Sequence, residues 1–304
     1  MTVPVLVCRD ARVEGEDGGV LLEGVTCEAD GARVGLVGAW SALFGLFSGT
    51  AILRRGTVDV LGEDARTVLA HRKVGVARLD AELPETWTST EYLTMNGRLV
   101  GLGRRAATRA ARQTLEALEL GALGGRKIHL LDRGERRALS LANAALGGPP
   151  LVAVERPLAG LGDSEAVAIR QILARIGLGR RLLVSIDVST AQPLEREFVA
   201  SMDQLVVLAS GTVVAAGPTE SVMMSSPRCV VWAARAAEPL VLMLRERGVR
   251  VEPVDGVPFE GDAGGRFVVL LDGGVTPMTI VETAHAVGAP LLELLPIGFS
   301  AAAS

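Results

Sequence analysis

With 304 residues, 49% of them hydrophobic and 22% charged, the chain can bury a sizeable core and is too apolar to remain disordered. That length suits one large domain plus a smaller one. A formal net charge of -4 argues against a nucleic-acid partner, and no apolar run approaches the ~20 residues that a membrane-spanning helix requires. Cys8, Cys27 and Cys229 are far apart along the chain and odd in number, so buried, inert thiols are expected instead of a disulfide framework. The stretch before Cys8 lacks a basic start and a long apolar segment, so no signal peptide is expected.

In chain order, Val3–Cys8 reads as a strand, Gly15–Gly19 as a turn and Val20–Glu28 as a second strand. Asp30-Gly31 turns into a strand over Arg33–Val37. Ala42–Phe47 has an apolar helical pattern ending near Gly49, and Gly56–Leu61 forms a short strand. Thr90–Leu102, Ala106–Leu120 and a segment from about Glu135 to Leu146 have helical spacing. Leu151–Val154 and Leu182–Ile186 are apolar runs suited to buried strands; between them Ser164–Ile176 is a helix with Asp163 as its N-cap. Gln204–Leu208 and Thr212–Ala216 flank Ser210-Gly211, a hairpin signal. Strands alternating with helices predict a largely parallel sheet covered on both faces.

After about Ser226 the pattern restarts: strand Val230–Ala234, helix Pro239–Arg247, strand Val249–Val254, strand Phe267–Leu271, helix Pro277–Val287, strand Leu291–Leu295. This β-α-β-β-α-β order, with a hairpin turn at Gly261–Gly265, suggests a small ferredoxin-like α+β unit.

The segment Leu131–Asp163 carries the most specific signal. A polar loop opens a helix, a Gly-Pro break follows, and an apolar strand ends in Glu155-Arg156-Pro157. The order and spacing resemble the signature helix, Walker B strand and D-loop of ATP-binding cassette (ABC) ATPases. The resemblance covers about Val3–Val222 and implies an α/β P-loop NTPase-like core with an antiparallel β subdomain and a helical subdomain. The expected division is residues 1–225 for the ABC ATPase-like domain, with the helical subdomain at about 85–147, and 226–304 for the accessory domain.

Within that resemblance the positions that would do chemistry are altered. Val34–Gly38 resembles the strand before a Walker A loop, which continues Gly, four residues, Gly-Lys and Ser or Thr so that backbone N–H groups and the lysine cradle phosphates. Here Gly35, Gly38 and Ser41 are the vestiges; Trp40 and Phe44 are expected to fill part of the nucleotide space, and no lysine precedes Lys73. The signature positions are Leu131, Asp132, Arg133, Gly134 and Glu135. Asp132 replaces a serine that would face a partner's γ-phosphate, and at ~4 Å with an effective dielectric near 20 it would repel each phosphate charge by roughly 4 kcal/mol. Arg133 offsets part of this, and Asp132 as an ordinary helix N-cap suffices to explain its presence.

At the Walker B end Glu155 stands where a magnesium-linked aspartate is implied, and Arg156 where the general base is implied; a guanidinium accepts no proton at ordinary pH. The switch histidine corresponds to Ile186, followed by Asp187. The conserved glutamine of the family corresponds to about Leu79, beside Asp80. The D-loop reads Gly160, Leu161, Gly162 and Asp163, and no aromatic near Val13 is available to stack an adenine. His71, His129 and His285 have no second ligand at metal spacing.

What the resemblance leaves usable is a surface. Pro84, Trp87, Tyr92, Leu93, Met95 and Leu99 match the region that receives a cytoplasmic helix of a permease. Leu93 and Leu99 are expected in the core, whereas Trp87 and Tyr92 suit either role. The chain is identified as a degenerate, pseudo-ATPase member of the family with no catalytic residues and no bound metal, its binding of ATP and Mg lost or weak. The resemblance implies docking on a multi-spanning permease at the cytoplasmic face of the inner membrane, and pairing with itself or an active ABC ATPase homologue. Two other readings stay open: an asymmetric ATPase half that completes one hydrolysis site through Asp132–Glu135, and a soluble scaffold outside transport.

Overall fold

A computed structural model of the chain describes residues 3–38, 40–79, 81–186, 193–209, 211–224, 228–253, 263–271 and 274–297. The chain opens with β1 (Leu6–Gly15) and β2 (Val20–Ala29), joined by a turn in which Asp17 accepts the Gly19 N–H at 3.0 Å. β3 (Arg33–Val37), α1 (Ser41–Ser48), β4 (Ala51–Val60), β5 (Glu63–Asp64) and β6 (Val74–Ala77) follow. The helices α2 (Ser89–Leu99), α3 (Arg104–Ala117) and α4 (Arg133–Ala145) lead to β7 (Leu151–Glu155), α5 (Asp163–Ile176) and β8 (Arg181–Ile186). Then come α6 (Pro193–Ala200), β9 (Gln204–Ala209), β10 (Thr212–Pro218) and α7 (Thr219–Met224). The final unit is β11 (Arg228–Ala233), α8 (Ala237–Glu246), β12 (Val251–Pro253), β13 (Gly265–Leu270), α9 (Pro277–Ala286) and β14 (Leu291–Ile297).

These strands form three sheets. An antiparallel one has the order β2-β1-β4-β5; the central one has the order β10-β9-β3-β8-β7-β6. The central sheet is parallel except for β10, which closes a hairpin on β9. Its strands read as continuous apolar runs because both faces are buried. Leu151 and Ala153 of β7, Leu183 of β8, and Val206 and Leu208 of β9 join a core shared with α1 and the antiparallel sheet. The alternate residues Val152, Val154, Val184, Leu205 and Val207 join the core under α4 and α5. The period-2 alternation of strand side chains thus divides one apolar run between two cores.

The third sheet has the order β12-β13-β11-β14, antiparallel throughout, with α8 and α9 as crossovers. This is the ferredoxin-like arrangement. Cys229, Val231, Phe267 and Val269 face its helices, while Val230 and Val268, on the opposite face, join the core of the large unit. The expected division at 225/226 and the start of the Gly261–Gly265 turn lie outside the described residues, as do Ala39, Asp80, Asp187 and Ser210.

Several expected bounds shift. β1 runs on to Gly15, and β4 begins at Ala51 where a strand was expected only from Gly56. β4 opens on the apolar Ala51-Ile52-Leu53 and then turns charged, with Arg54 Nε 2.8 Å from Glu14 and Arg55 Nη2 2.8 Å from Asp10, both across to β1. Gly56 has φ 74°, and a Cβ there would come 2.2 Å from the Arg9 carbonyl oxygen. The N-cap of α5 is Gly162, one residue before the expected Asp163, because Glu165 reaches back to accept the Gly162 N–H at 2.8 Å. Helices α6 and α7 escaped the sequence reading; they span eight and six residues, too short for a clear amphipathic repeat.

Candidate functional site

The vestigial phosphate loop is a tight turn. Gly38 leaves β3 with φ 99°, its N–H donating to the Ile186 carbonyl at 2.9 Å, and a Cβ there would lie 2.2 Å from the Leu208 oxygen. Only glycine fits that approach. Trp40 donates its backbone N–H to Gly38 O at 2.8 Å and is the N-cap of α1, so the helix starts three residues after Gly38. Trp40 is 1% exposed, and its ring N–H donates to Val206 O at 3.3 Å. Trp40 and Phe44 both belong to the core beside Leu43 and Leu46. Ser41 is exposed and Gly35 lies within β3. The chain's lysines pair elsewhere: Lys73 with Glu63, and Lys127 with Glu91 at 3.6 Å.

At the end of β7 the Glu155 carboxylate meets the protein's own cation. Arg78 Nε lies 3.6 Å from Glu155 Oε2, and the Leu79 N–H donates to the same oxygen at 3.2 Å. Arg78 also donates to Ser48 Oγ at 3.2 Å, which links the end of α1 to this strand end. Arg156 adopts φ 44°, a left-handed conformation that costs a non-glycine residue on the order of 1 kcal/mol. The turn is held on both sides. Arg156 N–H donates to Ser185 O and Oγ, each at 3.1 Å, while the almost fully buried Arg137 of α4 donates to Arg156 O at 2.8 Å and to Pro157 O at 3.3 Å. Ile186, at the switch position, is buried.

The signature loop and D-loop are braced to one another within this chain. Asp132 is the N-cap of α4 and forms a capping box: its carboxylate accepts Glu135 N–H at 2.8 Å, and Glu135 accepts Asp132 N–H at 3.0 Å. Glu135 also pairs with Arg126. Glu165 of α5 accepts Gly134 N–H at 3.1 Å through one oxygen and Gly162 N–H at 2.8 Å through the other. Arg133 Nη1 donates to Gly160 O at 2.7 Å. Two of the N–H groups that open α4, those an incoming phosphate would use, are thus already bonded to carboxylates of the same chain. Leu131 and Leu161 are buried beneath this brace, and Asp163 is exposed in the first turn of α5.

The resemblance gives the signature loop and the D-loop as separate motifs, and the fold joins them through Arg133 and Glu165. Arg78, Arg126, Arg137 and Glu165 enter the site only through the fold. The Asp-x-x-Glu capping pattern was available as a signal for the brace; the other contacts join residues remote in sequence.

The apolar surface on α2 divides differently from expectation. Leu93 is in the core, but Leu99 is 73% exposed, because α2 ends there and the left-handed Gly101 (φ 85°) turns the chain away. Trp87 is 38% exposed and Tyr92 is half-buried, its phenol pushed up in pKa by burial. Cys8 and Cys27, far apart in sequence, are cross-strand partners on β1 and β2; the hydrogen bond between them and their burial push the Cys8 thiol up. All three cysteines are buried and free. Among the described residues no group of three or more His, Cys, Asp or Glu could hold a metal, and no helix is long and apolar enough to cross a membrane.

Comparisons with known proteins place this geometry. No protein-family model matches the chain. It is 31% identical over 214 residues to the lipoprotein-releasing system ATP-binding protein LolD of Pseudomonas syringae pv. tomato, an alignment covering 63% of this chain and 92% of LolD. It is 28% identical over 232 residues to the Nod factor export ATP-binding protein I of a Rhizobium species, covering 74% of this chain and 75% of the relative. Among solved structures, an ATP-binding cassette of an ABC transporter in its ADP conformation matches with TM-score 0.60 at 19% identity, over 74% of this chain and 96% of that one. CbiO1 from Clostridium perfringens, part of the transporter complex CbiONQ, matches with TM-score 0.60 at 16% identity, over 80% of this chain and 95% of that one. At these identities the structural likeness speaks for the fold.

Proposed function

The chain belongs to the family of ABC transporter ATP-binding proteins, and on that premise we propose that it is a non-catalytic member. It docks on a multi-spanning membrane permease and pairs with itself or with an active homologue, at the cytoplasmic face of the inner membrane. The observation that carries the reading is the turn from Gly38 to Ser41, where the helix begins three residues after the glycine behind a buried Trp40. Such a turn has no room for a loop of successive N–H donors around phosphates and holds no lysine.

The remaining positions agree. At the position implied for a magnesium ligand, Glu155 Oε2 already faces Arg78 Nε at 3.6 Å and accepts the Leu79 N–H at 3.2 Å. The base position is an arginine. The residues present do not fit Mg-ATP, and energy for transport would come from another subunit. Trp87 and Tyr92 are the permease anchors, an aromatic pair at the start of α2.

Thermal melting with and without millimolar Mg-ATP tests the reading. No shift is expected. A nucleotide-dependent rise in Tm, which binding to the folded state must produce, would overturn it.

A further inference from the structure

The tip between α2 and α3 carries a cluster of positive charge that nothing above uses. From Met95 to Leu115 there are five arginines and no Asp or Glu, in a chain whose net charge is -4. Arg98, Arg104, Arg105, Arg109 and Arg112 are all exposed, and among the described residues none of them forms an ion pair. Arg105, Arg109 and Arg112 follow i, i+4, i+7 spacing, which sets them in one stripe. That stripe lies opposite the buried face of Ala107, Ala111 and Leu115. The exposed Arg72 brings a sixth cation: its guanidinium rests against Gly101, 2.5 Å from where a Cβ would stand.

The same tip exposes aliphatic side chains. Gly101 ends α2 in the left-handed conformation, and the turn it makes leaves Leu99 73%, Val100 41% and Met95 37% exposed. Exposed leucine is uninformative alone. Three adjacent apolar side chains ringed by unpaired arginines are a different matter, because water solvates the cations and leaves the apolar group uncovered.

We propose that the α2–α3 tip is a docking surface for an anionic phospholipid bilayer. Leu99 and Val100 meet the boundary between headgroups and acyl chains, and the arginines meet lipid phosphates with their stems lying over apolar surface. An acidic protein segment would satisfy the guanidinium groups but not the aliphatic apex; a bilayer satisfies both. Tyr92 and Leu99 are separated by seven residues of one helix, about 10 Å at 1.5 Å per residue, so permease contact and lipid contact are compatible. The inference uses family membership only and is independent of whether the cassette is active.

Flotation of the purified full chain with vesicles tests it. Binding to phosphatidylcholine–phosphatidylglycerol vesicles is expected, with little to phosphatidylcholine alone, and it should weaken as salt rises. Arg105→Ala, Arg109→Ala and Arg112→Ala should each lower partitioning about fivefold, the factor for one basic residue at an anionic surface. Leu99→Ser should lower it as well, without a change in charge. All four positions are exposed, so unchanged melting curves will certify folding. Equal binding to both vesicle types, or none, would overturn the proposal. So would Leu99→Ser binding like the parent, or retention on an acidic polypeptide with no flotation, which would mark a protein partner.

Discussion

The Glu165 carboxylate bonds the Gly134 N–H at 3.1 Å, setting an anion of α5 at the N-terminus of α4. Its second oxygen takes the Gly162 N–H at the start of its own helix. One side chain thus caps two helices, and it does so at the place where the family presents a helix N-terminus to a partner's nucleotide.

Glu165→Ala should remove both caps and cost about 1–4 kcal/mol, given roughly 0.5–2 kcal/mol for each cap. Glu165→Gln, with a single acceptor oxygen, should lose less. Urea unfolding of the two variants gives the comparison; equal and negligible losses would show that the brace contributes nothing.

Trp40→Ala should lower stability by about 3–5 kcal/mol, the usual cost of deleting a large buried side chain. It should not create affinity for ATP, because the ring belongs to the core. Melting and nucleotide titration of one variant measure both, and a variant that melts like the parent would remove Trp40 from its structural role.

Asp132→Ser keeps an N-cap oxygen, so the fold should change little. Mixed with an intact homologue, the variant should show no more ATPase activity than the parent, since Glu165 and Arg133 still close the loop. A rise in rate would favour the asymmetric half-site.

The pH response has a definite sign on each side. Burial pushes Cys229 from 9.0 up to about 12, so between those values the unfolded thiol ionises while the folded one keeps its proton. Stability should therefore fall as pH climbs from 9 to about 12. Glu63 is held below its ordinary 4.5 by Lys73 and then His71; its small contribution is present above that value and is lost as pH falls through the lowered one. Urea midpoints across pH, compared with Cys229→Ala, check the alkaline limb.

Much of the fold was legible in the chain because burial on both faces leaves an unmistakable apolar run. Arg33–Val37 was located to the residue, and Leu151–Glu155 and Arg181–Ile186 to within one. The capping box at Asp132 and Glu135 could be read from spacing. Leu99 was misplaced because its helical spacing puts it on the apolar side of α2, and spacing does not reveal that the helix ends there. β4 is legible only from Gly56, since its start, three consecutive apolar residues followed by Arg54-Arg55, lacks the period-2 alternation of a strand.

By itself the sequence determined which reactive groups are present: an arginine where a base is required, no lysine before Lys73 to serve the turn after Gly38, and apolar runs that must be buried. Those are properties of residue type and local order, and no tertiary arrangement can change them. Only the tertiary structure decided what occupies the altered positions. Arg78 on Glu155, Arg137 on the Arg156 carbonyl, Glu165 across two helix starts and the pairing of Cys8 with Cys27 join residues distant in the chain. Hydrogen bonds and ion pairs act over a few ångströms of space, and chain order does not record that distance.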